Sequence, residues 1–178
     1  MRNALKRLGT DALVSDNPDE ILAADKVIFP GVGEASSAMR YLKERELDKL
    51  IKGLTMPTLG ICLGLQLMCS FSEEDDTECL NIFPVQIKKF PPQDKVPHMG
   101  WNTIYDLKGE LFRGVSQNSY AYFVHSFYAE LNKYALAKTS YIVDFASAIH
   151  NNNFYATQFH PEKSADIGEQ ILKNFLRL

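Results

Sequence analysis

The chemistry in this chain centres on Cys62, in Pro57-Thr58-Leu59-Gly60-Ile61-Cys62-Leu63-Gly64-Leu65-Gln66. A short apolar run reaches the cysteine and passes straight into a helical pattern marked by Leu63, Leu67, Met68 and Phe71. That order predicts a strand, a sharp turn and a helix, with the thiol at the apex. Gly60 and Gly64, two positions to either side, let the backbone bend without a Cβ clash. The helix would aim its unpaired N–H groups and positive dipole end at the sulfur, a setting that makes a thiol nucleophilic. The N–H of the following residue can form half of an oxyanion hole, so the reaction class is acyl transfer. A cysteine without such flanks is more often a small buried apolar residue. Cys69 and Cys79 fit that description, and no two cysteines have metal-ligand spacing.

A thiolate nucleophile needs a base and a group to orient that base. Of the histidines, His160 stands out, in Phe159-His160-Pro161-Glu162-Lys163-Ser164 between a strand-like run and a helix. Pro161 fixes the local path, and in extended backbone His160 and Glu162 share a face, so Glu162 can bond the imidazole nitrogen remote from the thiol. His150 precedes three asparagines and reads as a loop residue, while His98 and His125 stay open on spacing alone. A third piece, Phe29-Pro30-Gly31-Val32-Gly33, is a glycine-rich turn that again ends an apolar run. Its N–H groups could face a developing oxyanion, at about 3 kcal/mol per donor.

The elements needed to position these groups are legible as alternating helices and strands followed by a strand-rich half. Helices are expected over 3–8, 34–43, 47–53, after Cys62, and over 166–176, with a short helix or turn over 18–23. Strands are expected at Ala12–Val14, 26–29, 58–62, 84–89, 102–105, 120–128 and 135–138. A hairpin turning on Asn151-Asn152-Asn153 joins 145–149 to 154–159. The fold class is α/β: a mixed, mainly parallel sheet flanked by helices, built as one domain over residues 1–178. The acidic stretch Glu73–Thr77 reads as a solvated loop rather than a site.

Composition narrows the class. The 178 residues are 46% hydrophobic with a net charge of −3, enough for one sizeable core and without the basic surface nucleic acid would need. Three cysteines without a framework pattern suit a reducing cytoplasm, and no stretch approaches membrane-spanning length. No cofactor or metal motif is present.

Taken together, Gly60-Ile61-Cys62-Leu63-Gly64-Leu65-Gln66, His160-Pro161-Glu162 and Pro30-Gly31-Val32-Gly33 resemble the class I (triad) glutamine amidotransferases. Pro97-His98-Met99-Gly100-Trp101-Asn102, Tyr122-Phe123-Val124-His125-Ser126-Phe127 and Gln158-to-Ser164 are similar to one branch of that family. It is the branch supplying ammonia for imidazole glycerol phosphate synthesis in histidine biosynthesis.

The resemblance implies that Cys62 attacks the carboxamide of glutamine, His160 shuttles protons and Glu162 holds the imidazole. Leu63 and either Val32 or Gly33, with Gly31 beside them, would bind the oxyanion. Gln66 and the backbone of Ser126 and Phe127 would contact glutamine. Phe127 stands where the family usually has tyrosine, removing a hydroxyl near that pocket. His98, Met99, Trp101, Asn102, Tyr122 and Lys163 would lie at the docking face for a (β/α)8-barrel cyclase. Ammonia would pass to that cyclase, which makes imidazole glycerol phosphate and AICAR. The chain opens inside what the family makes its first helix, so the family's initial strand is expected to be missing. Two alternatives remain on sequence: a paralogous glutaminase feeding another amidating synthase on a nucleotide or nucleotide-sugar, and a non-catalytic partner-binding subunit.

Overall fold

The computed structural model describes residues 1–178, and its architecture follows from where the apolar runs lie. Helix α1 (Arg2–Arg7) and the short α2 (Pro18–Leu22), capped by the Asn17 side chain on the Asp19 N–H, precede the first strand. Strand β1 (Val27–Gly31), helices α3 (Ala35–Glu44) and α4 (Leu47–Lys52), strand β2 (Thr58–Cys62) and helix α5 (Leu63–Met68) complete the first half. The second half holds β3 (Phe71–Ser72), β4 (Thr77–Glu78), β5 (Gln86–Lys89), β6 (His98–Ile104), β7 (Ser119–His125) and β8 (Phe127–Ala129). Strands β9 (Ala135–Tyr141), β10 (Val143–Asn151) and β11 (Phe154–Thr157), then helix α6 (Ala165–Arg177), end the chain.

The main sheet is mixed and runs β1-β2-β11-β10-β8-β5-β3-β4, with β9 on β10. Its parallel trio, β1-β2-β11, carries the site. Gly31 pairs with Cys62 and Thr157 with Ile61, so all three strands end on one side. Crevices beyond the C-terminal ends of parallel strands are where α/β sheets gather their ligands. From β11 outward to β8 the pairing is antiparallel, beginning with the hairpin at Asn151–Asn153. A separate ribbon pairs β6 with β7, and there the two-residue period sorts the side chains. His98, Ala121, Phe123 and His125 turn into the core, while Met99, Trp101 and Tyr120 face out.

The core has three parts. The largest packs Ile61, Phe123, Phe145, Phe159 and Phe175 between the sheet, the ribbon and α6. A second holds Leu65, Met68, Phe83 and Ile149 on the sheet's other face, and the third joins α3, α4 and α5 through Met39, Leu47 and Leu67.

The expected strand at Ala12–Val14 does not form: 10–17 is irregular, and Leu13 and Val14 are 72% and 79% exposed. A strand needs a partner for its ladder. β1 pairs only with β2, and nothing is bonded along its other edge. The run expected over 120–128 is interrupted at Ser126, where the chain leaves the ribbon as β7 and joins the main sheet as β8.

Candidate functional site

Cys62 is the last residue of β2 and sits at φ 55°, ψ −109°, a strained conformation for a non-glycine residue. The flanking glycines are required by contact. A Cβ on Gly60 would lie 2.8 Å from Met68 Sδ, and one on Gly64 would lie 1.9 Å from the Phe29 carbonyl oxygen. A Cβ on Gly31 would meet Leu63 Cβ at 2.8 Å, so the Gly31–Gly33 loop rests directly on the first turn of α5. In that loop Gly33 has φ +96°, and Val32 is 88% exposed.

His160 follows β11 and reaches the same point. Its Nδ1 bonds Glu162 Oε1 at 2.9 Å. Its Nε2 is buried without a hydrogen-bond partner. Burial disfavours charge on the ring, yet the neighbouring Cys62 and Glu162 outweigh it and raise the His160 pKa to about 9. Burial pushes the Glu162 carboxyl up, but the bond from His160 and the charge on that ring bring it net below its ordinary value.

The turn is held by Ser164, whose buried hydroxyl donates to the His160 carbonyl at 2.6 Å and accepts from the Tyr122 N–H at 3.0 Å. His160 N–H in turn donates to the Tyr122 carbonyl at 2.9 Å, so the His160 turn is clamped to β7.

A cavity of about 380 Å³ opens over this constellation. Gly31–Gly33, Cys62, Leu63, Gln66, His125–Phe127, His160 and Lys163 line it. A smaller hollow of about 130 Å³ lies behind Glu162 against α1 and α6 and contains no nucleophile. Gln66 is buried, and its Nε2 donates to the Phe127 carbonyl at 3.1 Å and to Gln158 Oε1 at 3.2 Å. Gln158 Nε2 completes the chain to Cys62 Sγ at 3.8 Å.

Two features of this cavity were not expected. Glu74, in the acidic stretch read as solvated loop, lines it and accepts the Ala35 N–H at 2.8 Å, capping α3. A charge run gives no signal that its own turn will fold one carboxylate back onto a helix 39 residues earlier in the chain. Gln158 carries no signal of its own in the sequence, because its contacts with Gln66 and Cys62 depend on how the chain is brought together across the sheet.

Of the residues expected at a docking face, Met99 and Trp101 are 61% and 53% exposed. Trp101 stands edge-on to Tyr122 at 6.0 Å between ring centroids, and the Lys163 ammonium lies over the Tyr122 ring at 5.8 Å. Asn102 is half-buried and points inward. His98 is a correction: it is buried, bonded to His125, and offers no surface to a partner. The inward phase of β6 puts it in the core, whereas Met99 and Trp101 occupy the outward phase. No group of three or more metal-ligating side chains clusters in the structure.

Comparison with known proteins agrees with this geometry. The family model described as "Glutamine amidotransferase class-I" matches residues 2–178. The chain is 55% identical over 178 residues to imidazole glycerol phosphate synthase subunit HisH of Bacteroides fragilis (strain YCH46), covering 98% of this chain and 91% of that one. It is 46% identical over 179 residues to the HisH subunit of Idiomarina loihiensis, covering 100% and 91%.

Among solved structures, one described as glutamine amidotransferase superposes with a TM-score of 0.77 at 17% identity, covering 99% of this chain and 90% of that one. A glutamine amidotransferase from Thermotoga maritima gives 0.60 at 17% identity, covering 92% and 66%. These two likenesses carry the fold.

Proposed function

The chain belongs to the class I glutamine amidotransferases, and from that premise we propose that its cavity hydrolyses glutamine to glutamate and ammonia as the glutaminase subunit of imidazole glycerol phosphate synthase. The observation that carries the reading is Cys62 and the His160–Glu162 pair converging on one cavity beside a glycine-rich loop.

With its pKa near 9, His160 holds a proton at neutral pH, placed for delivery to a leaving group. Cys62 Sγ, its proton already on His160, attacks the side-chain carboxamide carbon of glutamine as the thiolate. The tetrahedral oxyanion is met by the Leu63 N–H and by Val32 or Gly33 in the loop resting on it. The C–N bond breaks as His160 Nε2 gives its proton to the nitrogen, and ammonia leaves a glutamyl thioester. Water then attacks the thioester, losing its proton to His160, and glutamate departs with Cys62 restored. Throughout, Glu162 keeps Nδ1 protonated and Nε2 aimed at the reaction. Glu74 supplies the carboxylate at the cavity wall suited to the α-ammonium of glutamine. Gln66 and the Ser126–Phe127 backbone define the side-chain slot.

Free ammonia would be protonated in water and lose its nucleophilicity, so it is handed on within a complex. The outward face of Met99, Trp101 and Tyr122, with Lys163, has the aromatic and cationic make-up of a docking surface. Its proposed occupant is a (β/α)8-barrel cyclase subunit. No helix is long and apolar enough to cross a membrane, and the proposed setting is the cytoplasm.

The test is to quench a reaction with labelled glutamine in acid and digest the protein. A labelled glutamyl thioester on the Cys62 peptide supports the reading. Turnover without any label there, under conditions that trap thioesters, would reject the nucleophile.

A further inference from the structure

The mechanism leaves two buried histidines unused. His98 Nδ1 lies 3.0 Å from His125 Nε2, and His125 Nδ1 lies 2.7 Å from the Phe127 carbonyl oxygen. At the other end, Asn102 Nδ2 lies 3.2 Å from His98 Nε2 and donates to the Ser140 carbonyl at 3.0 Å.

With both rings neutral, these contacts fix every proton. A carbonyl only accepts, so His125 carries its hydrogen on Nδ1 and must accept at Nε2. His98 therefore donates from Nδ1, and its Nε2 accepts from Asn102. The Phe127 carbonyl receives His125 on one side and Gln66 Nε2 on the other. Since Gln66 spends its remaining amide hydrogen on Gln158, its Oε1 is the atom left to meet a ligand.

The surroundings favour one state of this chain of bonds. His98 stacks on Tyr141 at 4.1 Å and on Phe123 at 4.8 Å, and His125 packs against Phe90 and Phe145, each at 5.3 Å. Burial in this aromatic cage holds both rings neutral, with pKa values near 4 and 3. A proton added to either ring would set two N–H groups against each other.

We infer that the His98–His125 pair is a positioning device for the glutamine slot, fixing the Phe127 carbonyl and through it the orientation of the Gln66 amide. The inference rests on the glutaminase reading above. Asn102, His98 and His125 lie on the inward face of the ribbon whose outward face carries Met99 and Trp101. The docking surface and the substrate slot are therefore two sides of one pair of strands.

The test compares His98→Phe, which keeps the ring stack but removes the donor, with His98→Asn, whose amide nitrogen replaces Nδ1. Both are assayed for glutamine hydrolysis in complex with the barrel cyclase. In His98→Phe, KM for glutamine should rise about tenfold, the scale of one lost hydrogen bond, with kcat within about threefold. His98→Asn should recover most of that loss. In parallel, nitrogen-15 spectra of the wild-type chain should show His98 and His125 as neutral Nδ1–H tautomers.

Wild-type KM in a folded His98→Phe, or an Nε2–H tautomer at His125, would overturn the positioning role. If His98→Phe fails to fold, the tautomers and the kinetics of His98→Asn decide. A wild-type complex with the expected tautomers but no glutamine hydrolysis would instead overturn the glutaminase reading.

Discussion

Gly64 stands against the carbonyl of Phe29 so closely that a Cβ on the glycine would lie 1.9 Å from that oxygen. The contact brings the first turn of α5 against β1, which sets the Gly31–Gly33 loop beside Cys62. Gly64→Ala must push the two apart. The substitution should cost about 1–3 kcal/mol of stability, and glutamine turnover should fall with it. Thermal unfolding and kcat of the same preparation check both parts, and an active Gly64→Ala with native stability would contradict the account.

The His160–Glu162 bond governs where the imidazole proton sits. Glu162→Gln keeps the side chain's size but removes the charge that favours imidazolium. The expected loss in kcat is about 10²- to 10⁴-fold. An NMR titration should also find the His160 pKa below the value near 9 that Cys62 and Glu162 together give it.

Acid and alkali should act on different histidines. His98 and His125 have folded pKa values near 4 and 3, below the ordinary 6.5. Between those values and 6.5 the unfolded chain binds protons that the folded one refuses. Their contribution is therefore full above pH 6.5 and lost as the pH falls toward 4 and below, by up to about 1.4 kcal/mol per pH unit for each proton. His160 has the opposite sign: its contribution is full below 6.5 and lost as pH rises through 9. Melting temperatures from pH 4.5 to 10 should show both arms, and His98→Asn should flatten the acid one.

How much of this could be read from residues alone depended on distance along the chain. Cys62 and its glycines, and His160 with Glu162, are local patterns, and the strand–turn–helix and the turn formed where those patterns put them. The alternation of elements likewise revealed the α/β class. What stayed hidden required a partner remote in sequence. Ala12–Val14 has strand composition but no neighbouring strand to bond. Glu74 looked like surface until the 3₁₀ turn at Glu74–Asp76 carried it to α3. His98 and His125 lie 27 residues apart and meet only through the β6–β7 register, which no local spacing announces.

Trp101 offers the most direct test of the proposed docking face. It is half exposed beside Tyr122 and Lys163, so its removal should cost the isolated chain little. An exposed aromatic anchor at an interface is worth about 2 kcal/mol or more. Trp101→Ala should accordingly weaken calorimetric titration with the barrel cyclase by at least about tenfold.

The measurement that tests the central claim most directly is glutamate release from glutamine, by the chain alone and with the proposed barrel cyclase carrying its ligand. The account predicts a large rate increase on adding the liganded partner, abolished by Cys62→Ala. Glutamate release that survives Cys62→Ala, or no release even in the liganded complex, would contradict it.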